Sequence, residues 1–339
     1  KAEADSLFRA HEAEIEQERH AKEKAVTDAR ERLQFIIIIS VSAVLILLAI
    51  FAVFLYNRFK VTKKQKGIIE VQKKEVELQK DLVEEKNREV HDSITYAKRL
   101  QDAILPPLRM IEKTFEDSFV LYLPKDIVAG DFYWMEKAHG KTYLAVADCT
   151  GHGVPGAMVS VVCSNALNRA VLEYNKKTPA EILDQVRETV IGTFQRSAKE
   201  VKDGMDISLI AIDRTGTSSK VEFAGAHNPL WTLRKDSDKM DIIKGDKQPV
   251  GQFSESKPFT NHTIELKTGD SLFLFSDGYP DQFGGAKGKK MKTTNFRKLL
   301  ESLKGRPMPA QKDRLYTALE EWKGDLEQID DVCVIGVRV

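Results

Sequence analysis

Five aspartates beside apolar, strand-like segments are the residues of this sequence best suited to chemistry. They are Asp131, Asp148, Asp277, Asp330 and Asp331. Aspartate is a poor strand residue, so each of these positions needs a reason. For any one of them, the capping of a turn is the ordinary reason. Five such positions in one stretch of chain favour a shared acidic site.

A carboxylate cluster without histidine or cysteine partners selects hard cations such as Mg²⁺ or Mn²⁺. Two such ions about 3.5–4 Å apart can bind a phosphate and deprotonate a water, which would hydrolyse a phosphomonoester without a protein nucleophile. The sequence contains neither the GxxxxGK[ST] loop of P-loop enzymes nor the GxSxG elbow of serine hydrolases. Both of those enzyme classes are therefore disfavoured.

Five sequence blocks resemble the stage II sporulation protein E branch of the metal-dependent, type 2C serine/threonine phosphatases, and they follow the order of that family. The blocks are Asp126–Trp134 (DIVAGDFYW), Ala147–Gly153 (ADCTGHG), Ala224–Pro229 (AGAHNP), Leu274–Gly278 (LFSDG) and Asp330–Val334 (DDVCV). The resemblance covers roughly residues 92–339 and includes the helix at Ser93–Pro106 that leads into the domain.

The resemblance implies a site for two Mn²⁺ or Mg²⁺ ions and hydrolysis of phosphoserine or phosphothreonine by a metal-activated water. Carried over position by position, Asp148 bridges both ions, the Cys149 backbone carbonyl completes the second site, Asp277 and Asp330 hold the first ion, and Asp131 contributes through the water shell. Asp148 and Asp131 are thus the expected catalytic residues.

Three further residues have weaker assignments. Asp206 is a candidate ligand for a third ion, although an aspartate at a strand start is the more ordinary explanation. Asp331 is expected to orient Asp330. His152 lies four residues after the bridging aspartate, whereas eukaryotic relatives carry a histidine two residues after it. We therefore expect His152 to form a turn and helix entry, with a general-acid role as the alternative.

The elements that must position these residues are mostly strands. Short apolar runs between turn signals predict strands at Phe119–Leu123, Asp131–Glu136, Thr142–Ala147, Ile207–Ile212, Lys220–Ala224, Leu230–Leu233, Phe259–Leu266, Ser271–Phe275 and Val332–Val339. Helices are predicted at Gly156–Tyr174, from Pro179 to about Lys199, at Thr293–Leu303 and at Pro309–Trp322. This α+β pattern indicates stacked antiparallel sheets flanked by helices. The family resemblance implies a four-layer α-β-β-α sandwich over residues 106–339.

The composition excludes several classes of protein. The 339 residues include 52 Lys plus Arg and 51 Asp plus Glu, and this net charge of +1 gives no electrostatic case for nucleic-acid binding. Three cysteines without a CxxC pair exclude a disulfide scaffold and a structural zinc knuckle. Because the first residue is Lys1 and not Met, we expect the carboxyl-terminal part of a longer polypeptide.

A charge-free segment of 22 residues, Phe35–Tyr56, is predicted to cross a membrane. As a helix it would be about 33 Å long, against a hydrocarbon core of about 30 Å. A buried soluble helix is the alternative. Seven basic residues follow the segment within twenty positions and five precede it, which weakly favours a cytoplasmic carboxyl side at the inner membrane.

One charged helix is expected on each side of that span. Residues 1–34 read as a solvated connector. Residues 57–105 carry apolar residues at a strict interval of seven, which predicts a coiled-coil seam and a homodimer through residues 69–104. The seam residues are Ile69, Val76, Val83, Val90, Ala97 and Ile104. A passive spacer and a rearranging switch helix both fit this weak seam.

The resemblance implies that the substrate is a phosphorylated partner protein, of the STAS type of anti-sigma-factor antagonist. Two alternatives remain open at the level of the sequence. One is a non-catalytic signalling scaffold with the same fold, against which the complete set of expected ligand aspartates argues. The other is a two-metal phosphohydrolase that acts on a small phosphate such as a nucleotide.

Overall fold

A computed structural model describes residues 2–195, 203–215 and 218–339. Its helices are α1 (Ala2–Ile104), α2 (Leu108–Thr114), α3 (Gly153–Leu172), α4 (Pro179–Phe194), α5 (Gly278–Asp281), α6 (Thr293–Ser302) and α7 (Met308–Lys323). Its strands are β1 (Asp117–Leu123), β2 (Phe132–Ala138), β3 (Lys141–Cys149), β4 (Gly204–Thr215), β5 (Ser218–Ala226), β6 (Leu230–Leu233), β7 (Met240–Ile243), β8 (Val250–Gly251), β9 (His262–Lys267), β10 (Ser271–Phe275), β11 (Phe283–Gly284), β12 (Lys289–Lys290) and β13 (Val332–Arg338).

The strands form two larger sheets and a short ribbon. The first sheet has the order β1-β13-β10-β6-β7, and the second has the order β2-β3-β4-β5-β9 with β8 paired to β4. Neighbouring strands within both sheets run antiparallel. The ribbon consists of β11 and β12.

Alternate residues of the central strands pack into different core layers, which explains why their sequences are continuously apolar. Tyr143 and Ala145 of β3 face the layer that also contains residues of α3 and α4. Leu144, between them, faces the layer shared by the two sheets. On β10, Leu274 faces that shared layer and Phe273 faces the layer that contains residues of α6 and α7. The expected four-layer α-β-β-α sandwich is therefore confirmed.

The predicted strands and helices are present, with differences at several ends. Helix α4 opens with a capping box, in which the Thr178 side chain accepts the Glu181 N–H. It ends at Phe194, and part of its predicted extension, 196–199, lies outside the described residues. Strand β9 starts later than predicted because the Phe259 and Thr260 N–H groups donate to aspartate side chains and not to a neighbouring strand.

Several short elements escaped the sequence analysis. Helix α2, strand β7 and the β11–β12 ribbon were not predicted, because runs of two to seven residues give little periodic signal. The predicted connector, span and coiled-coil helix are one continuous helix, α1. Its predicted internal boundaries therefore remain predictions.

The chain divides into two compact units, Lys1–Asn87 and Arg88–Val339. In the first unit, α1 contains a window with a mean hydropathy of 3.2, none of which is buried. By length and composition this helix is able to cross a bilayer. In the second unit, the end of α1 packs into the domain, where the Gln101 side chain is buried.

Candidate metal centre

Four strands deliver the aspartates to one edge of the domain. Asp148 lies near the end of β3, and the antiparallel register places Asp206 of β4 directly opposite it. Asp277 follows the end of β10, and Asp330 lies two residues before β13, which pairs with β10. Like charges directly opposite each other on paired strands are destabilising, so this arrangement calls for a compensating cation.

The aspartates line a cavity of about 390 Å³. Its lining residues are Asp148, Cys149, Thr150, Gly151, His152, Met205, Asp206, Pro249, Asp277 and Asp330. No lysine or arginine is among these described residues. The cavity is therefore an acidic site without a basic partner in its own wall.

The electrostatics of the cavity reflect this uncompensated charge. Burial, followed by the charges of Asp277, Asp330 and Asp206, raises the pKa of Asp148 to about 8. Burial and the charge of Asp277 raise the pKa of Asp206 to about 6, although His227 opposes the shift. Burial is also the main cause of the raised pKa of Asp277. Desolvation and like charges both disfavour the ionised carboxylates here.

Asp131 is not part of the cavity lining, but it interacts with Asp148 and so belongs to the acidic cluster. Its side chain is 2% exposed, and burial together with the neighbouring Asp148 raises its pKa strongly. Asp148 is within hydrogen-bonding reach of both Asp131 and Asp277. The Asp131 Oδ2 atom is buried and has no hydrogen-bond partner among the described residues. An unpartnered buried carboxylate oxygen is suited to a cation or to its bound water.

These residues are suited in kind to divalent cations, although their side chains do not converge on one common ion position. In the described part of the chain, no three Asp, Glu, His or Cys side chains are spaced as a ligand set for one ion. A site for two hard cations does not need such a set, because backbone carbonyls and water supply many of the ligands. The oxygen-only donors match Mg²⁺ or Mn²⁺ in kind.

Asp331 holds the loop that carries Asp131. Its Oδ1 accepts the Lys125 N–H at 2.7 Å, and its Oδ2 accepts the Gly130 N–H at 2.7 Å and the Asp131 N–H at 3.4 Å. The expected orientation of Asp330 is instead provided by the backbone, since the Asp331 N–H donates to Asp330 Oδ1 at 2.8 Å. With both oxygens engaged, the Asp331 carboxylate is a positioning group.

Gln101 also holds this loop, and the sequence analysis did not single it out. Its amide donates to the Ala129 carbonyl at 2.6 Å and accepts the Ala129 N–H at 3.0 Å. It also donates to Ser160 of α3 at 3.0 Å. The end of α1 is thus hydrogen-bonded to the segment just before Asp131. In the sequence, the role of Gln101 is indicated only by its position as a polar residue among the apolar positions of the Ser93–Pro106 helix.

Glycines permit close backbone contacts around the cluster. A Cβ at Gly130 or at Gly156 would clash with the Gly151 carbonyl, and one at Gly278 would clash with the Asp331 carbonyl. These contacts bring the Asp131 loop, the start of α3 and the residue after Asp277 against neighbouring backbone. A side chain at any of these positions would displace a carboxylate of the cluster.

The two histidines of the motif blocks lie at the rim. His152 lies in the cavity wall, directly before the first residue of α3, and its Nδ1 is 3.1 Å from Asp126 Oδ2. It is a helix-entry residue, as expected, and it also faces the acidic cavity. His227 is exposed with a φ of 55° and acts electrostatically on Asp206.

Cys149, the last residue of β3, lies in the cavity wall, and its side chain is buried in the core. All three cysteines are buried and free. Because the predicted role of Cys149 uses its backbone carbonyl, burial of the thiol is compatible with that role.

Together, the layered fold and its acidic edge place this domain in the class of PP2C-type phosphatase domains. The SiaA-PP2C domain of Pseudomonas aeruginosa superposes with a TM-score of 0.67 at 29% identity, covering 75% of this chain and 98% of that one. The PP2C phosphatase domain of SpoIIE from Bacillus subtilis, with a fragment of its regulatory domain, gives 0.50 at 20% identity, covering 66% and 61%.

Residues 138–339 match the family described as stage II sporulation protein E (SpoIIE), and the chain belongs to this family. It is also 24% identical over 194 residues to phosphoserine phosphatase RsbU of Bacillus subtilis (strain 168). That match covers 56% of this chain and 54% of RsbU, so the chain spans about half the length of this curated relative.

Proposed function

We propose that this protein is a membrane-anchored, metal-dependent phosphatase that removes phosphate from phosphoserine or phosphothreonine on a partner protein. The observation that carries the proposal is the convergence of Asp131, Asp148, Asp206, Asp277 and Asp330 on one edge of a SpoIIE-family fold. Buried and adjacent carboxylates of this kind are costly unless cations compensate them.

Each side chain has a distinct task in this proposal. Asp148, Asp277 and Asp330 would hold the metal ions through their carboxylates, and Cys149 would contribute its backbone carbonyl. Asp131 orients bound water, and Asp206 is the ligand of a weaker third ion. When bound, Mn²⁺ or Mg²⁺ would lower the pKa of a water molecule and neutralise phosphate charge. Asp331 positions Asp131, and His152 is available as a proton donor at the rim.

The family and helix α1 support a proposal for the partner and the location. We propose a phosphorylated protein substrate of the anti-sigma-factor antagonist kind, and the phosphoserine phosphatase name of RsbU supports the reaction type. The charge-free segment 35–56 would anchor the chain in the inner membrane, with the phosphatase domain in the cytoplasm. The seam from Ile69 to Ile104 would pair two chains and regulate the domain.

The test is hydrolysis of p-nitrophenyl phosphate by the full chain in detergent, with and without Mn²⁺. We expect Asp148→Asn to lower kcat at least about 100-fold, the scale of losing one electrostatic element of an active site. It should also weaken Mn²⁺ binding in calorimetry. Asp238→Asn, a surface change beside Lys304, is the matched control and should leave both unchanged. Equal rates for the wild-type and Asp148→Asn proteins would remove the catalytic assignment.

The same assay separates the proposed function from its two alternatives. A non-catalytic scaffold would hydrolyse neither aryl phosphate nor phosphopeptide at any Mn²⁺ concentration. A small-phosphate hydrolase would act on free nucleotides at a higher kcat/KM than on phosphoserine peptides. We expect the opposite preference.

A further inference from the structure

A second cavity, of about 490 Å³, lies beside the acidic edge and is not used by the proposed reaction. We call it the Trp231 groove. Its lining residues are His227, Pro229, Trp231, Ile242, Lys244, Gly245, Lys247 and Thr293. They come from the β5–β6 turn, from β6 and β7, from the loop after β7 and from the start of α6.

The groove is built on close backbone contacts. A Cβ at Gly245 would clash with the Asn228 carbonyl and with Gly225, so the loop after β7 lies directly on the β5–β6 turn. The Asp246 N–H donates to the Gly225 carbonyl at 2.8 Å, and the His227 N–H donates to the Asp246 carbonyl at 2.8 Å. The two segments therefore form a preorganised wall.

Positive charge is concentrated at this wall. Lys244 and Lys247 are exposed, and neither has an ion-pair partner among the described residues. Lys292 directly precedes Thr293 of the groove and ends the basic run Lys287–Lys292. Lys290 is the member of that run that pairs with an acidic group, Asp281, at 2.7 Å.

The groove is continuous with the acidic edge. Pro249 lies in the wall of the acidic cavity, two residues after Lys247 of the groove. His227 of the groove interacts electrostatically with Asp206, and Lys290 of the adjacent basic run interacts electrostatically with Asp277. A chain segment that reaches from one cavity to the other would pass directly over the rim of the site.

Other side chains of the groove are apolar. Ile242 is 39% exposed and Pro229 is partly buried. The Trp231 ring is 1% exposed, and its Nε1 atom has no hydrogen-bond partner among the described residues. Apolar side chains beside two unpaired ammonium groups suit a ligand with an apolar side chain next to carboxylates.

We propose that the Trp231 groove binds an acidic segment of the phosphoprotein substrate, with one apolar side chain against Ile242, next to the phosphorylated residue. This inference rests on the proposed phosphatase function and specifies how that site selects its substrate. Lys244 and Lys247 would pair with carboxylates of the segment, and the phosphorylated residue would enter the acidic cavity.

The test compares two phosphoserine peptides of equal length on the full chain in detergent with Mn²⁺. One carries a leucine flanked by four aspartates, and the other carries the same leucine flanked by four asparagines. We expect the aspartate peptide to have a kcat/KM about tenfold higher, which corresponds to about 1.4 kcal/mol. Lys244→Glu with Lys247→Glu should abolish this preference and leave hydrolysis of p-nitrophenyl phosphate within about twofold.

The matched control is Lys137→Glu with Lys239→Glu, which makes the same charge change at exposed lysines outside the groove. It should behave as wild type with both peptides. Fluorescence anisotropy of the labelled aspartate peptide with the Asp148→Asn protein measures binding without turnover. The affinity for this peptide should be about tenfold lower when Lys244→Glu and Lys247→Glu are added.

Three outcomes would overturn the groove proposal. These are equal rates for the two peptides, an equal effect of the control pair, and a parallel loss of p-nitrophenyl phosphate hydrolysis in the groove variant. In the first two outcomes, aryl phosphate hydrolysis by wild type keeps the phosphatase proposal intact. Absence of any Mn²⁺-dependent hydrolysis by wild type would instead reject the phosphatase proposal itself.

Discussion

At the scale of the residue, the same amino acid has two different tasks within two positions of the chain. Asp330 lines the cavity, whereas the Asp331 carboxylate turns away and accepts three backbone N–H groups. Asp148 lies among other carboxylates, and the charges of Asp277, Asp330 and Asp206 oppose its own. The backbone contacts of Asp331 stabilise a loop. The repulsion among the carboxylates around Asp148 favours the binding of cations.

The raised pKa of Asp148 predicts how the stability of the protein depends on pH. The pKa of Asp148 is raised from 3.8 to about 8 in the folded protein. A carboxyl group whose pKa is raised on folding makes its full contribution to stability at pH values below its pKa in the unfolded state. This contribution is lost as the pH rises through the pKa of the folded state. We therefore expect Tm of the metal-free protein to fall between about pH 5 and pH 8. Saturating Mn²⁺ should raise Tm most at the upper end, because binding replaces the lost protons.

Scanning fluorimetry in chelator and in Mn²⁺ measures both effects. Asp148→Asn removes one of the carboxyl groups with a raised pKa and should reduce the pH dependence in chelator. A metal-free Tm that rose over this pH interval, or an equal slope in the variant, would contradict the assignment of the raised pKa.

At the scale of the element, the loop before β2 is held from two directions. Asp331, which precedes β13, binds its backbone at Lys125, Gly130 and Asp131. Gln101, at the end of α1, binds its backbone at Ala129. The position of Asp131 therefore depends on both elements, and a change at the end of α1 has a direct route to the acidic cluster.

This geometry predicts the effect of Gln101→Ala. The change leaves the buried Ala129 N–H and carbonyl without their partner, which costs about 1–3 kcal/mol per group. We expect a lower Tm and weaker Mn²⁺ binding in calorimetry, because Asp131 follows Ala129 by two residues. Gln79→Ala, at an exposed position of the same helix, is the control. Equal Mn²⁺ affinities in the two variants would show that Gln101 does not position the site.

At the scale of the whole molecule, α1 leaves two apolar surfaces exposed. One is the charge-free segment 35–56, and the other is the part of the seam from Ile69 to Val90. Val76, Val83 and Val90 of the seam are each more than half exposed. Exposed apolar stripes of this length are typical of surfaces that pair with a second helix.

The seam predicts the outcome of Val83→Asp with Val90→Asp. Charges at core positions of a weak coiled coil should convert a dimer to a monomer, as measured by light scattering in detergent. Activity on phosphopeptide should change with it if the seam regulates the domain. Leu78→Asp, an exposed apolar position outside the seam, should leave the dimer intact. Unchanged oligomeric state and activity in the double variant would reject both the dimer and the switch.

The local chain determined much of this protein without reference to its fold. Strand identity follows from short apolar runs between turn signals, the capping box from Thr178 and Glu181, and the membrane-length segment from composition. The acidic strand ends and motif blocks were also legible, because they are short-range patterns. These features depend on residues within about one turn or one strand of each other.

Only the tertiary structure decided which of those residues meet. The register of β3 with β4 places Asp206 opposite Asp148, a pairing between residues 58 positions apart that no local pattern encodes. The same is true of Gln101 with Ala129 and of Asp331 with Gly130. The Trp231 groove joins three separate stretches of chain, 227–231, 242–247 and residue 293, and has no sequence signature of its own. Long-range pairing depends on the summed packing of whole elements, so it becomes visible only in the folded chain.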